Sequence, residues 1–347
     1  MSRLYLDWNA TAPLRPEARA AMLAAMEVVG NPSSVHAEGR AAKALLERAR
    51  AQVAAALGAE GADIVFTSGA TEAAALACAG RGLACAAIEH EAVAAWCEVS
   101  LPVDHTGAVG GSVPGRMALQ LANSETGVVQ DLPSGVAVTD LTQAFGKLPL
   151  AFNWLGCDMA LVSAHKLGGP KGVGALVLRQ GLDLAAQLRG GGQEMGRRAG
   201  TENLIGIAGF AAAAQAAARD LAAGLWDEVA EIRNILESAL SSAAPQTISV
   251  GKGAARLPNT LCLIAPGWKG ETQVMAMDLA GFAVSAGSAC SSGKVRASKV
   301  LRAMGFDEAL SGQAIRVSIG PGVTKDDVLR FADAWTKAYA RALARAA

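Results

Sequence analysis

The chain has 347 residues, 31 basic and 31 acidic side chains and 52% hydrophobic residues, which suits one large domain joined to a smaller one. Balanced charge argues against a nucleic-acid or anionic-membrane partner held by bulk electrostatics. The opening MSRLYLDWNATAP lacks the apolar run of a signal peptide, and no stretch reaches the ~20 uninterrupted apolar residues of a membrane span.

In chain order, helical patterns are predicted over 15–29 and 39–57, then a strand over 63–69 and a helix over 71–80. Strands follow over 84–90, 117–125, 136–140 and 159–166, with a second apolar run at 174–178. One long helix is expected near 204–243. After it come a strand at 259–266, a helix near 271–279, a loop, a helix, a strand at 314–320 and a closing helix over 325–344. The alternation over the first two thirds argues for an α/β domain around a mostly parallel sheet, and the remainder for a smaller α+β domain. Residues 98–140 are unusually compact. Parallel strands normally need a crossover of about a dozen residues, usually helical. Residues 124–135 are long enough, but their Gly and Pro content disfavours a helix.

The segment SAHKLGGPKG, 163–172, puts Lys166 directly after an apolar strand and before a glycine-rich turn. A lysine so placed can form a Schiff base with a carbonyl cofactor, of which pyridoxal phosphate is the obvious one. The run 67–80 reads strand, Gly turn, helix. Its first N–H groups and the Thr71 hydroxyl make a phosphate cradle, or alternatively a simple helix cap. Asp140 ends a strand and can pair with the pyridinium nitrogen of that cofactor. Gln143 and Asn123 can hydrogen-bond its phenolic oxygen. His90, at a strand-to-helix junction, can stack on a planar ring and shuttle protons. Arg316 can grip a carboxylate in two places, a structural ion pair being the alternative.

Six cysteines form no C-x-x-C pair, which argues against a structural zinc site and fits a cytoplasmic protein with free thiols. Cys78, Cys85, Cys157 and Cys262 read as core fillers, and so does Cys97. Cys290, in SAGSACSSGK, lies among small polar residues suited to a mobile loop and is placed to act as a nucleophile.

Taken together and in order, from LYLDWNATAP to AIRVSIGP, these motifs resemble the cysteine desulfurases, aminotransferase class V members of the fold-type I pyridoxal-phosphate transferases. The resemblance implies that Lys166 holds the cofactor covalently, Asp140 pairs the pyridinium, Gln143 and Asn123 contact the phenolic oxygen and His90 stacks on the ring. Thr71, Ser163 and His165 would hold the phosphate. Thr201, in GGGQEMGRRAGTEN, would reach the phosphate of a neighbouring subunit, which implies a homodimer. Arg316 would hold the substrate carboxylate, with Asn31 of GNPSSVH at the substrate entrance. The SACSS loop resembles the branch with a long mobile catalytic loop, serving iron–sulfur cluster and tRNA-thiolation pathways. The implied reaction turns L-cysteine into L-alanine and leaves a persulfide on Cys290. The implied domains are 15–250, binding the cofactor, and 1–14 with 251–347, carrying the cysteine loop.

Three features depart from the family pattern. Asn-Asn-Glu reads NSE at 123–125, Val-Asp-Ala reads TDL around Asp140, and 98–140 is shortened. The shortening is expected to bare one sheet face, to be covered by a partner or by altered dimer packing. A β-eliminating enzyme such as a selenocysteine lyase, and an inactive scaffold of the same fold, are the alternative readings.

Overall fold

The computed structural model describes residues 3–287 and 297–346. The chain opens with a short strand, β1 (Leu4–Tyr5). Helix α1 (Pro16–Met26) starts on a proline, where no N–H is needed. Helix α2 (Ala37–Ala56) is capped by His36, and its buried Ala42, Leu46, Ala49 and Val53 form one apolar stripe.

The first sheet and a two-stranded sheet beside it are then built from β2 (Asp63–Thr67), β3 (Ala84–Ala86), β4 (Glu98–Leu101), β5 (Ala118–Gln120), β6 (Val136–Asp140), β7 (Cys157–Ser163) and β8 (Gly174–Leu178), β3 and β4 forming the pair. Helices α3 (Ala70–Cys78) and α4 (Glu91–Ala94) lie between the early strands. The order is β2-β8-β7-β6-β5. A bridge from Ala84 to Met117 joins β3 to the β5 edge, and β4 runs parallel beside β3. Strands β5, β6 and β7 are mutually parallel, whereas β8 is antiparallel to both its neighbours. Thr67 and Ser163 both lie opposite Gly174. The carboxyl ends of β2 and β7 therefore flank one point on the sheet edge.

These strands are apolar on both faces, as a sheet covered on both sides requires. Leu46, Val53, Leu57, Phe66, Val162 and Phe210 share one core; Val65, Leu76, Val138, Leu161 and Leu176 share another, under α3. The connection over 121–135 contains no helix, as its composition predicts. It is held by a pair between Ala122 and Val129 and by a bridge from Val128 to Arg256. Over β5 and β6 the bare face expected from the shortening is not found, whereas Val99 of β4 is 54% exposed. Leu119, Val136, Ala137 and Val138 are at most 2% exposed. Ala118 of β5 and Ala137 and Val138 of β6 share one core with the chain's own Leu83, Cys85 and Val93, while α3 packs on β7 and β8. No covering partner is needed there.

The helix predicted over 204–243 is two helices, α5 (Leu204–Ala222) and α6 (Leu225–Ala243). Gly224 breaks it in the left-handed conformation, φ 78°, which glycine adopts without a Cβ penalty. The break redirects the chain between cores. Helix α5 packs on α1 and α2, whereas α6 packs on the last helix. Beyond it come β9 (Ile248–Ser249), β10 (Thr260–Ile264), α7 (Gly270–Leu279), β11 (Phe282–Ala283), β12 (Ser285–Ala286), α8 (Lys299–Ala303), α9 (Glu308–Ser311), β13 (Ala314–Ser318) and α10 (Lys325–Ala346). An antiparallel sheet, β12-β13-β10-β9, packs Leu261, Leu263, Ile315 and Val317 against Trp226, Phe331, Trp335 and Tyr339. Among the described residues, no helix is long and apolar enough to cross a membrane.

Candidate active site

The sequence candidates converge on one edge of the first sheet. Asp140 closes β6, Ser163 closes β7, and Asn123 follows β5 by three residues. His90 follows β3 and caps α4, its Nδ1 accepting from the Ala92 N–H at 3.1 Å. Thr71 stands in the first turn of α3, exposed, after Gly69. In an open α/β sheet, ligands bind at the carboxyl ends of the strands. Gly174 maintains the close approach there. A Cβ on it would lie 2.5 Å from the Val162 carbonyl oxygen and 2.8 Å from Gly69 Cα.

Lys166 sits one turn past β7, half-buried, and its Nζ donates to the carbonyl oxygens of Asn9 (2.7 Å) and Ala10 (2.9 Å). His165 beside it meets the Thr11 hydroxyl at 3.1 Å. Burial, then the charges of Lys166 and Lys171, lower its pKa to about 4, so the ring is neutral at physiological pH.

Asn9 is a hub that sequence reading missed. Its carbonyl also accepts from Gln143 Nε2 at 3.0 Å. Its side-chain oxygen accepts from Lys147 Nζ and Asn259 Nδ2, each at 3.0 Å. Its amide nitrogen donates to Thr260 Oγ1 at 2.8 Å and to the Ser124 carbonyl at 3.2 Å. Lys147 is 2% exposed and also donates to Gln143 Oε1 at 2.8 Å. Burial, then Lys166 and Arg316, push its pKa well down.

Arg316, on β13, reaches the same region from the second sheet. Its Nη2 donates to Asp7 at 2.7 Å and its Nη1 to the Ser124 carbonyl at 3.0 Å, leaving Nε buried without a partner among the described residues. Asn123 is already engaged: its Oδ1 accepts from the Glu125 and Thr126 amides and its Nδ2 donates to the Ile88 carbonyl. Glu125 is buried, and that burial raises its pKa against the pull of Ser298 and Arg316. Its carboxyl oxygen would meet any Cβ placed on Gly287. Glu89, next to His90, is likewise buried with its pKa pushed well up, although one oxygen accepts from Gln120 N at 2.8 Å.

Thr201 is exposed, at the end of a segment pinned to the first domain. Arg198 holds Glu72 of α3 at 2.8 Å, Arg197 holds Asp63 at 2.7 Å and Glu194 is buried against Arg50. Asn31 is exposed and its side chain accepts from Ser33 N at 2.9 Å; no described contact ties it to Lys166. Cys290 lies outside the described residues.

The aminotransferase class-V family model matches residues 4–100 and 114–331, interrupted within the shortened region. The chain belongs to that family. Its relatives there are cysteine desulfurases. It is 39% identical, over 369 aligned positions, to the cysteine desulfurase of Cereibacter sphaeroides, covering 95% of this chain and 94% of that one. The NifS-like protein of Rickettsia africae ESF-5 superposes with a TM-score of 0.88 at 31% identity, covering 97% of this chain and 99% of that one. SspA in complex with cysteine superposes with a TM-score of 0.75 at 26% identity, covering 92% and 99%. The α/β fold class and the resemblance read from the motifs both agree with these likenesses.

Proposed function

We propose that this protein is a pyridoxal-phosphate-dependent cysteine desulfurase that converts L-cysteine to L-alanine and passes the sulfur to Cys290 as a persulfide. The observation that supports the reading is that Lys166 follows β7 at the same strand-end edge as Asp140, Ser163 and His90 and shares the Asn9 carbonyl with Gln143. That donor set fits the cofactor. It offers an amine for the aldehyde, a carboxylate for the ring nitrogen, an amide donor for the phenolic oxygen, and hydroxyls and helix N–H groups for the phosphate. When bound, the cofactor supplies an aldehyde that captures amines and a ring that accepts electrons.

The chain's own residues supply the rest. Lys166 holds and exchanges protons at the substrate Cα. His90 would face the ring and serve proton movement, while Thr71, Ser163 and neutral His165 would hold the phosphate. Asn123, whose Oδ1 is spent on its own turn, keeps a second Nδ2 hydrogen for the phenolic oxygen. Arg316 holds the substrate carboxylate, with Asn31 at the entrance. Cys290 attacks as thiolate: a sulfur–sulfur bond forms, the substrate carbon–sulfur bond breaks, and its electron pair stays on carbon, which is then protonated. SspA is seen with cysteine, which supports the same substrate here. The exposed Thr201 supports a homodimer in which it reaches the partner's phosphate. The two cores support a cofactor domain, 15–250, and a smaller domain, 1–14 with 251–347, with α6 packing into the second core. We place the protein in the cytoplasm, delivering sulfur to an acceptor such as an iron–sulfur scaffold or a tRNA-thiolation enzyme.

The test is direct. The purified protein is expected to be yellow, and Lys166→Ala colourless. Incubation with L-cysteine should yield alanine and, by mass spectrometry, a sulfur adduct on Cys290. Cys290→Ala should abolish turnover and keep the colour. A protein that stays colourless with added cofactor defeats the proposal.

A further inference from the structure

Lys147 has no role in the mechanism above, yet it is buried beside it. A lysine taken out of water costs several kcal/mol unless paired, and no carboxylate pairs with it among the described residues. Its two acceptors are uncharged, Asn9 Oδ1 and Gln143 Oε1. An apolar side chain would fill the same volume at lower cost. The contact with Gln143 is the informative one.

A glutamine amide has a donor end and an acceptor end of nearly the same shape, and only its neighbours decide which faces where. Here both ends are decided. Oε1 meets Lys147 Nζ at 2.8 Å, and Nε2 meets the Asn9 carbonyl at 3.0 Å. Reversing the amide would set its carbonyl against another carbonyl and take from Lys147 Nζ its second acceptor. The Asn9 carbonyl is also the acceptor of Lys166 Nζ at 2.7 Å. The donor end of Gln143 and the Lys166 amine therefore share one oxygen. One amide hydrogen is used on Asn9, which leaves the other for a further acceptor.

We propose that Lys147 is a positioning residue that locks Gln143 with its N–H end toward Lys166, so that Gln143 always presents a donor, never a carbonyl, to the phenolic oxygen of the cofactor held there. This rests on the proposed function above. The donor matters most when the nitrogen joining Lys166 to the cofactor has lost its proton, because the phenolic oxygen then has no internal proton to share. Locking Gln143 thus favours the deprotonated nitrogen. The charged groups facing Lys147 are Lys166 and Arg316, the latter held by Asp7 and close to Glu125.

The test is a pH titration of the visible absorbance of the cofactor-loaded protein, in Lys147→Met, Gln143→Leu and the double variant. Lys147→Met should raise the midpoint by about one pH unit, the scale of one hydrogen bond to a charged group. Gln143→Leu should do the same, and the double variant should match Gln143→Leu alone. An unchanged midpoint in Lys147→Met overturns the proposal. So does a further rise when Lys147→Met is added to Gln143→Leu, which would mean that Lys147 acts by charge and not through Gln143. Lys147→Leu repeats the measurement with a second apolar side chain, and failure of both to fold would make Lys147 a purely structural residue and overturn the proposal. A colourless wild-type protein would instead strike at the proposed function, so the two failures are distinct.

Discussion

Glu194 gives the sharpest stability prediction. Its side chain is 1% exposed and accepts three hydrogen bonds: from Arg50 Nη1 at 2.7 Å, Arg50 Nη2 at 2.9 Å and the Phe66 backbone N–H at 2.8 Å. To reach them, Glu194 and Met195 adopt left-handed backbone, φ 48° and 59°, which costs roughly 1–2 kcal/mol per residue outside glycine. Glu194→Ala keeps that strain and leaves the part-buried Arg50 with only Glu47, the Ile64 carbonyl and the Phe66 ring. Breaking a buried pair costs about 3–5 kcal/mol; Arg50's remaining partners pull toward the low end, and the orphaned Phe66 N–H adds about 1. The sum is about 4 kcal/mol. With roughly 2.1 cal/mol/K of unfolding entropy per residue over 347 residues, the melting midpoint should fall by about 5 °C. Thermal scans followed by circular dichroism would read this. Arg50→Met with Glu194→Leu should recover much of the loss, because the uncompensated charge is gone. A Glu194→Ala midpoint within about 1 °C of the parent would refute the reasoning that the pair anchors 190–203 to β2.

Three further outcomes are expected. Gly174→Ala should push Gly69 away and loosen the start of α3, lowering cofactor affinity about tenfold or more in equilibrium titration while β8 stays folded. His165 has a folded pKa lowered to about 4 against 6.5, so the unfolded chain binds the extra proton between those values. Its contribution to stability is complete above about pH 6.5 and is lost as pH falls toward 4; a full shift is about 3 kcal/mol, discounted to roughly 1–2 for a part-exposed ring. His165→Gln should flatten that stretch of the denaturation-versus-pH curve. Arg316→Lys cannot span Asp7 and the Ser124 carbonyl as the guanidinium does, so KM for cysteine should rise about tenfold or more with the cofactor absorbance unchanged.

What the sequence disclosed follows from how local each signal is. The Lys166 turn, the strand over 136–140 and the start of α3 are written in runs of five to ten residues, where apolar period and glycine placement act directly. The break at Gly224 was unreadable because one glycine in an alanine-rich run is a weak breaker, and only the two cores decide that the chain must turn. Lys147 reads as a loop lysine in GKLP; its burial depends on Asn9, 138 positions away. The same distance hid Asn9, whose partners are 115 to 309 positions off. The sealed sheet face escaped prediction for a related reason. Counting missing helices ignores how residues 83–93, distant in sequence from β5 and β6, join Ala118, Ala137 and Val138 in one core.

Asn9 also explains why the two cores act on one site. Leu4 and Leu6 hydrogen-bond the β11 region, and Trp8 N donates to the Ser318 carbonyl, so residues 4–8 are tied to β11 and to β13 of the second sheet. Ala12 N donates to the His165 carbonyl and Arg15 N to the Gly168 carbonyl, so the next few residues belong to the turn around Lys166. Asn9 lies between, and Asp7 just before it grips Arg316. A segment of nine residues, 7–15, therefore ties the arginine on one sheet to the amine on the other through hydrogen bonds of 2.7–3.0 Å. Their separation is set by this short backbone tether and not by the softer packing between domains. A relative tilt of the second sheet must either carry Asn9 with it, and so disturb Lys166 and Gln143 together, or break several buried hydrogen bonds at about 1 kcal/mol or more each.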